Sequence, residues 1–138
     1  MELLAWWLPI ALCIATSQWN PAQFADRSTI EFLTVTPDEG EHWSTVWFVV
    51  IDGTMYVRLG LRAARRIEKN TTAPRLALRV TGKESFSARY EKAPGMAGAV
   101  AAAMREKYWS DILGEPFRRL GLTSETVILR LTPEALQG

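Results

Sequence analysis

The chain has 138 residues, 48% of them hydrophobic and 22% charged, with a formal net charge of +1. This composition excludes a disordered chain and suits one domain, which at this length buries roughly 70% of its unfolded surface. One cysteine, Cys13, and one histidine, His42, exclude an intrachain disulfide and a zinc site built from Cys and His.

Residues 3–15 are thirteen consecutive apolar residues, Leu-Leu-Ala-Trp-Trp-Leu-Pro-Ile-Ala-Leu-Cys-Ile-Ala. The run is too short for a spanning helix, which needs about 20. Its length and the small residues Ala15-Thr16-Ser17 suit a secretory signal. Glu2 stands where such a signal carries positive charge. Three other readings stay open: a segment packed on the domain, a membrane-surface segment with Trp6 and Trp7 at the interface, or a start codon assigned too far upstream. The chain thus divides into an apolar segment, 1–17, and a folded domain, 18–138.

Residues 28–35 (Ser-Thr-Ile-Glu-Phe-Leu-Thr-Val) predict a strand, and Pro37-Asp38-Glu39-Gly40 a turn. Residues 44–51 (Ser-Thr-Val-Trp-Phe-Val-Val-Ile) predict the strongest strand. Asp52-Gly53 then predicts a tight hairpin into a strand at 54–58. Residues 62–70 predict a short helix with a basic face, closed off by Pro74. Residues 75–80 (Arg-Leu-Ala-Leu-Arg-Val) alternate polar and apolar, as a half-buried strand does. A turn at 81–83 leads to a strand at 84–90. Pro94 opens a helix to about residue 109. A short helix is expected at 115–120 and a last strand at 126–131. Six strands joined mostly by hairpins, with one substantial helix, predict a mainly β fold: an antiparallel small barrel flanked by helices.

Charge is sorted along the chain. Residues 1–57 hold one base against seven acids, residues 58–92 ten bases against three, and residues 93–138 five of each. The basic block is either a solvated face or a site for an anion such as a phosphate. Polymeric nucleic acid is not expected at an overall pI of about 7.9. Arg58, Arg62, Arg65 and Arg66 lie within nine residues where a strand end meets a helix start. Guanidinium groups supply forked donor pairs to a phosphate, and a helix start adds free backbone N–H groups. Trp43 and Trp47, at strand spacing, are expected on one face, and Ser44 and Thr45 on opposite faces. His42 stands alone near an acidic turn, with no nucleophile motif to join it. Asp38, Glu39 and Glu41 match no calcium loop, and no metal site is expected.

The stretches 47–58, 65–70 and 74–82 resemble the pyridoxamine 5'-phosphate oxidase-like flavin-binding split barrels. There a strand, a tight turn and a strand ending in a basic residue lead into a short helix that opens with a basic residue and ends near an Asn and a Pro. The tail at 94–109, with Arg105-Glu106-Lys107-Tyr108, is closer to small bacterial members of that group. The likeness covers about residues 30–131. It implies a split β-barrel and a homodimer holding FMN, or a deazaflavin, in a groove between subunits. On this chain Ser44 and Thr45 match the strand positions that meet the cofactor, Arg58 the basic strand end, and Arg65 or Arg66 the basic helix start. Two departures stand out: residues 59–63 lack the Ser or Thr the phosphate loop often carries, and Thr71-Thr72 are extra. The function implied is a flavin-dependent oxidoreductase; the alternative is a non-enzymatic module for a flavin or another anionic ligand. No side chain stands out as an acid or base, so none is named as catalytic. The resemblance implies a cytoplasmic protein, whereas residues 3–15 leave open export or membrane association.

Overall fold

The computed structural model describes residues 19–80, 82–108 and 127–134. Seven strands form one sheet: β1 (Ile30–Thr36), β2 (Gly40–Val46), β3 (Phe48–Ile51), β4 (Thr54–Leu59), β5 (Arg75–Arg79), β6 (Phe86–Lys92) and β7 (Val127–Pro133). The strands run in the order β2-β1-β5-β6-β7-β4-β3 with every neighbour antiparallel. Among the described residues two α-helices, α1 (Leu61–Lys69) and α2 (Ala97–Lys107), accompany the sheet. The mainly β, antiparallel barrel expected from the sequence is therefore present, curled and flanked by helices.

Alternation builds the core. In β1, Ile30, Phe32, Thr34 and Thr36 are buried, whereas Glu31, Leu33 and Val35 are half-buried on the other face. The inward side chains of β1, β4, β5 and β7 meet in one cluster that includes Phe32, Met55, Val57, Leu59, Leu76, Leu78, Leu129 and Leu131. Ala64 and Ile67, three apart on α1, close this interior at one end. The outer face divides into two halves. Over β3, β4 and β7 it is covered by α2, where Val100, Met104 and Tyr108 pack on Val49, Tyr56 and Ile128. Over β1, β5 and β6 no helix among the described residues covers it.

Two expectations need correction. The single strand expected at 44–51 is two strands, and the first begins at Gly40. Val46 ends the strand that pairs with β1, and Phe48 starts the one that pairs with β4. The break at Trp47 sends this continuous β-branched and aromatic run from one flank of the barrel to the other. Consequently Trp43 and Trp47 do not share a setting. Trp43 lies under the Arg79 guanidinium, 3.8 Å from the ring centroid. Trp47 stacks on Tyr108 at 4.2 Å. The hairpin at Asp52-Gly53 is as expected: both residues have positive φ, 50° and 77°, the left-handed pair that the tightest hairpins require. The expected helix at 115–120 lies outside the described residues.

Candidate functional site

Helix α1 begins where β4 ends. Its apolar side is inward, which turns Arg62, Arg65, Arg66 and Lys69 outward on one face. The turn between β1 and β2 meets that face. Together the four bases, Asp38 and Glu39 line a cavity of about 390 Å³. Arg66 is occupied: its Nε donates to Glu39 Oε1 at 3.0 Å, and this contact holds the Glu39 carboxyl below its ordinary range. Lys69 pairs with Asp38 at 3.4 Å. Arg62 and Arg65 make no ion pair among the described residues, so the cavity keeps two free guanidinium groups. Gly60 caps the helix without a side chain, and its first turn holds no acid. The N-terminal N–H groups and dipole therefore add to the positive potential.

The open half of the sheet carries a second cavity, of about 580 Å³. Its floor is Leu33 and Val35 of β1 and Ala77 of β5, with Thr72, Arg75, Ser85 and Ser87 at its rim; Leu76 and Phe86 also border it, although they pack on the interior cluster. The register explains the floor: Leu33 lies opposite Ala77, and Ala77 opposite Ser87, on one face of three adjacent strands. Arg75 is tied to Glu134 at 2.9 Å, and Arg79 to Glu31 at 3.0 Å.

The two cavities are neighbours. Val35 and Asp38 are three residues apart, as are Thr72 and Lys69, so Cα atoms of the two linings lie within about 11 Å. Asn70 joins them. Its Oδ1 accepts from the Val35 N–H at 3.0 Å and from the Thr72 hydroxyl at 3.1 Å, while its Nδ2 donates to the Tyr90 hydroxyl at 3.2 Å. The Val35 carbonyl in turn accepts from the Thr71 N–H at 2.8 Å. The β1–β5 ladder ends at the pair Leu33–Ala77, and the end of α1 takes over as partner for Val35.

The remaining expected site residues are dispersed. Arg58 pairs across strands with Ile128, on the sheet face under α2, and so points away from Arg62, Arg65 and Arg66. Burial, and then the nearby Arg105, lower its pKa. Ser44 faces the barrel interior opposite Phe32, and its Oγ is buried without a partner. Thr45 faces outward, exposed, on the same side as Trp43. Sequence reasoning missed Lys107. Its Nζ lies 2.9 Å from the Phe48 carbonyl and 3.5 Å from the Phe48 ring centroid, and burial lowers its pKa to about 8. Nothing in the helical pattern marks it apart from other terminal lysines. The open groove was within reach of the pattern, since the alternation in residues 75–80 already put Arg75, Ala77 and Arg79 on one face. Among the described residues no group of three His, Cys, Asp or Glu could hold a metal, and no helix is long and apolar enough to cross a membrane.

Searches with protein-family models and among curated sequences find no match. Solved structures do match. HutZ, the heme storage protein of Vibrio cholerae, aligns with a TM-score of 0.58 at 20% identity, over 94% of this chain and 90% of HutZ. Protein Rv2991 of Mycobacterium tuberculosis aligns with a TM-score of 0.57 at 20% identity, over 79% of this chain and 75% of its own. ChuZ of Campylobacter jejuni gives 0.53 at 9% identity, over all of this chain and 65% of ChuZ. The chain has the split-barrel fold. Within a split barrel, the α1 cavity is polar and sized for an anion, whereas the groove has an apolar floor and a hydroxyl and guanidinium rim. The pair suits a flat ring joined to an anionic tail.

Proposed function

We propose that this split barrel binds FMN, with the ring system on the open groove and the phosphate at Arg62 and Arg65, and that it acts as a flavin-dependent oxidoreductase. The observation that carries the reading is the adjacency of the two cavities. Leu33, Val35 and Ala77 offer the ring an apolar bed. Thr72, Ser85 and Ser87 offer hydroxyls to its edge. Arg62 and Arg65, three apart on a helix, offer forked donors to the phosphate. Bound flavin would supply the redox chemistry; the protein would position it and limit its contact with water. A deazaflavin with the same ring shape and an anionic tail fits the same description, and a non-catalytic flavin carrier would use the same groove.

HutZ is described as a heme storage protein, which suggests haem as a second ligand. Haem iron takes an axial ligand from His, Cys, Met or Tyr. None of these lines the groove, so its residues do not fit haem there, whereas a flavin needs no coordinating side chain.

Titration of FMN into the purified protein, followed by flavin fluorescence, tests the proposal. A charge-assisted contact to a phosphate contributes about 1.5–3 kcal/mol, so Arg65→Ala weakens binding about 10- to 150-fold. Ala77→Arg, which fills the groove, abolishes it. Arg58→Ala, on the opposite face, leaves it unchanged. Equal affinity in the parent and all three variants refutes this placement, and no FMN binding by the parent refutes the function. Pyridine-nucleotide-dependent dye reduction by the FMN-loaded protein then separates an oxidoreductase from a carrier.

A further inference from the structure

Beside the groove, on the same outer face, lies a third cavity of about 390 Å³, bordered by Arg89 and Glu91 of β6 and Thr132 of β7. Register sets its chemistry. Arg89 stands directly opposite Arg75 on one side and Thr132 on the other. Side chains so placed have Cβ atoms about 4.5–5.5 Å apart, and like charges directly opposite are destabilising. The two carboxylates nearby are already engaged: Glu134 pairs with Arg75 at 2.9 Å, and Glu91 with Arg130 at 2.8 Å. The Arg89 side chain is exposed and makes no ion pair or hydrogen bond among the described residues, and the Thr132 hydroxyl beside it makes no hydrogen bond among them either. A bound anion would offset the repulsion that this pair of arginines creates.

We infer that Arg89 and the Thr132 hydroxyl hold the carboxylate or phosphate of a second ligand, the substrate of the bound flavin. The inference rests on the flavin reading above and adds the substrate's chemical class: a flat molecule with an anionic group. The reach agrees. Ala77, in the bed of the ring, lies opposite Ser87, and Arg89 is the next residue of β6 on that face. Ala77 and Arg89 are thus diagonal neighbours, about 7–8 Å apart. A molecule stacked on the ring above Ala77 sets its anionic group at Arg89. This site is separate from the one for the flavin phosphate. Val35, which borders the route to Arg62 and Arg65, and Arg89 lie on the two strands that flank β5, two spacings or about 10 Å apart. The ring is therefore bracketed by two cationic sites, one for its own phosphate and one for the substrate.

Benzoate, phenyl phosphate and neutral benzamide test it, as one flat ring with three end groups. Each is titrated into the FMN-loaded full chain and followed by the flavin absorbance band. At least one anionic probe binds about tenfold or more tighter than benzamide, and the tighter of the two names the anionic group. Arg89→Gln weakens the anionic probes about 10- to 150-fold and leaves the affinities for benzamide and FMN unchanged. Because Arg89 faces a like charge, Arg89→Gln melts no lower than the parent. Equal affinity for all three probes in the parent, unchanged anionic affinity in Arg89→Gln, or a melting point more than about 2 °C below the parent overturns the inference. Amide NMR of the flavin-free chain with phenyl phosphate keeps the two readings apart. Shifts at Arg89 and Thr132 in a protein that binds no FMN sink the flavin reading and leave the anion site standing. No shifts at either residue, in a protein that does bind FMN, sinks the anion site alone.

Discussion

Replacing Asn70 with alanine tests the join between the two cavities. Asn70 is only 7% exposed, and its side-chain amide is the partner of the Val35 N–H, the Thr72 hydroxyl and the Tyr90 hydroxyl. Alanine removes all three contacts and brings no replacement. The exposed Thr72 rehydrates at little expense, but the Val35 N–H lies beneath the end of α1 and is left unpaired. An orphaned buried donor costs about 1–3 kcal/mol, and loss of the Tyr90 contact adds about 0.5–1.5 kcal/mol. A total of about 1.5–4.5 kcal/mol follows. With an unfolding entropy near 2.1 cal/mol/K per residue, this chain loses about 1 °C of Tm for each 0.3 kcal/mol. Asn70→Ala should thus melt about 5–15 °C below the parent, by calorimetry or circular dichroism. Tyr90→Phe, which removes one contact, should melt no more than about 5 °C below. Amide exchange adds a local readout: the Val35 N–H should exchange far faster in Asn70→Ala. A Tm within 2 °C of the parent, with Val35 still protected, would refute the reasoning.

Three further outcomes are expected. Glu39→Gln releases Arg66 from its carboxylate partner, so FMN and inorganic phosphate should bind several-fold tighter by calorimetric titration, with little change in Tm because the pair is exposed. Lys107 has its pKa lowered by burial to about 8 from 10.5, so the unfolded chain binds the proton more tightly and stability from this group rises with pH between those values; the Tm of the parent should accordingly gain on that of Lys107→Met as pH is raised from 7 to 10. The homodimer implied by the split-barrel resemblance should scatter light as twice 15.5 kDa at micromolar concentration, and a monomer would count against it.

Much of the fold is legible in local residues. Asp52-Gly53 forces its hairpin because both positions need positive φ, and Pro94 opens a helical stretch where the sequence places it. The alternation of residues 75–79 is the alternation of β5. What is not legible depends on distant partners. Nothing in residues 44–51 marks the break at Trp47, since no glycine or proline interrupts the run; the break arises because β2 and β3 answer to different neighbours. The candidate site divides in the same way. Four arginines in nine residues are plain in the sequence, and Arg62 and Arg65 do lie together on α1 without an ion pair among the described residues. Arg66, however, is claimed by Glu39, 27 residues earlier, and Arg58 belongs to a strand whose pleat turns it to the other face. The change from a two-residue to a 3.6-residue period at Gly60 separates residues that a linear count places side by side. Asn70 is readable as the end of a helix, but not as the partner of Val35, 35 residues away in sequence.

The break at Trp47 has a geometric consequence. β2 and β3 are the two outermost strands in the order of the sheet, yet a single residue separates them in the chain. Laid flat, seven strands would hold their outer members about 29 Å apart, at six spacings of roughly 4.8 Å. The Cα atoms of Val46 and Phe48 can be no more than about 7.6 Å apart. The sheet is therefore a hoop with a covalent clasp, and its curl is imposed by connectivity before any side chain packs. Core substitutions can soften such a barrel without letting it unroll. A few glycines inserted after Trp47 would loosen the clasp and let the two end strands, β2 and β3, which do not pair with each other, move apart and expose their edges more fully.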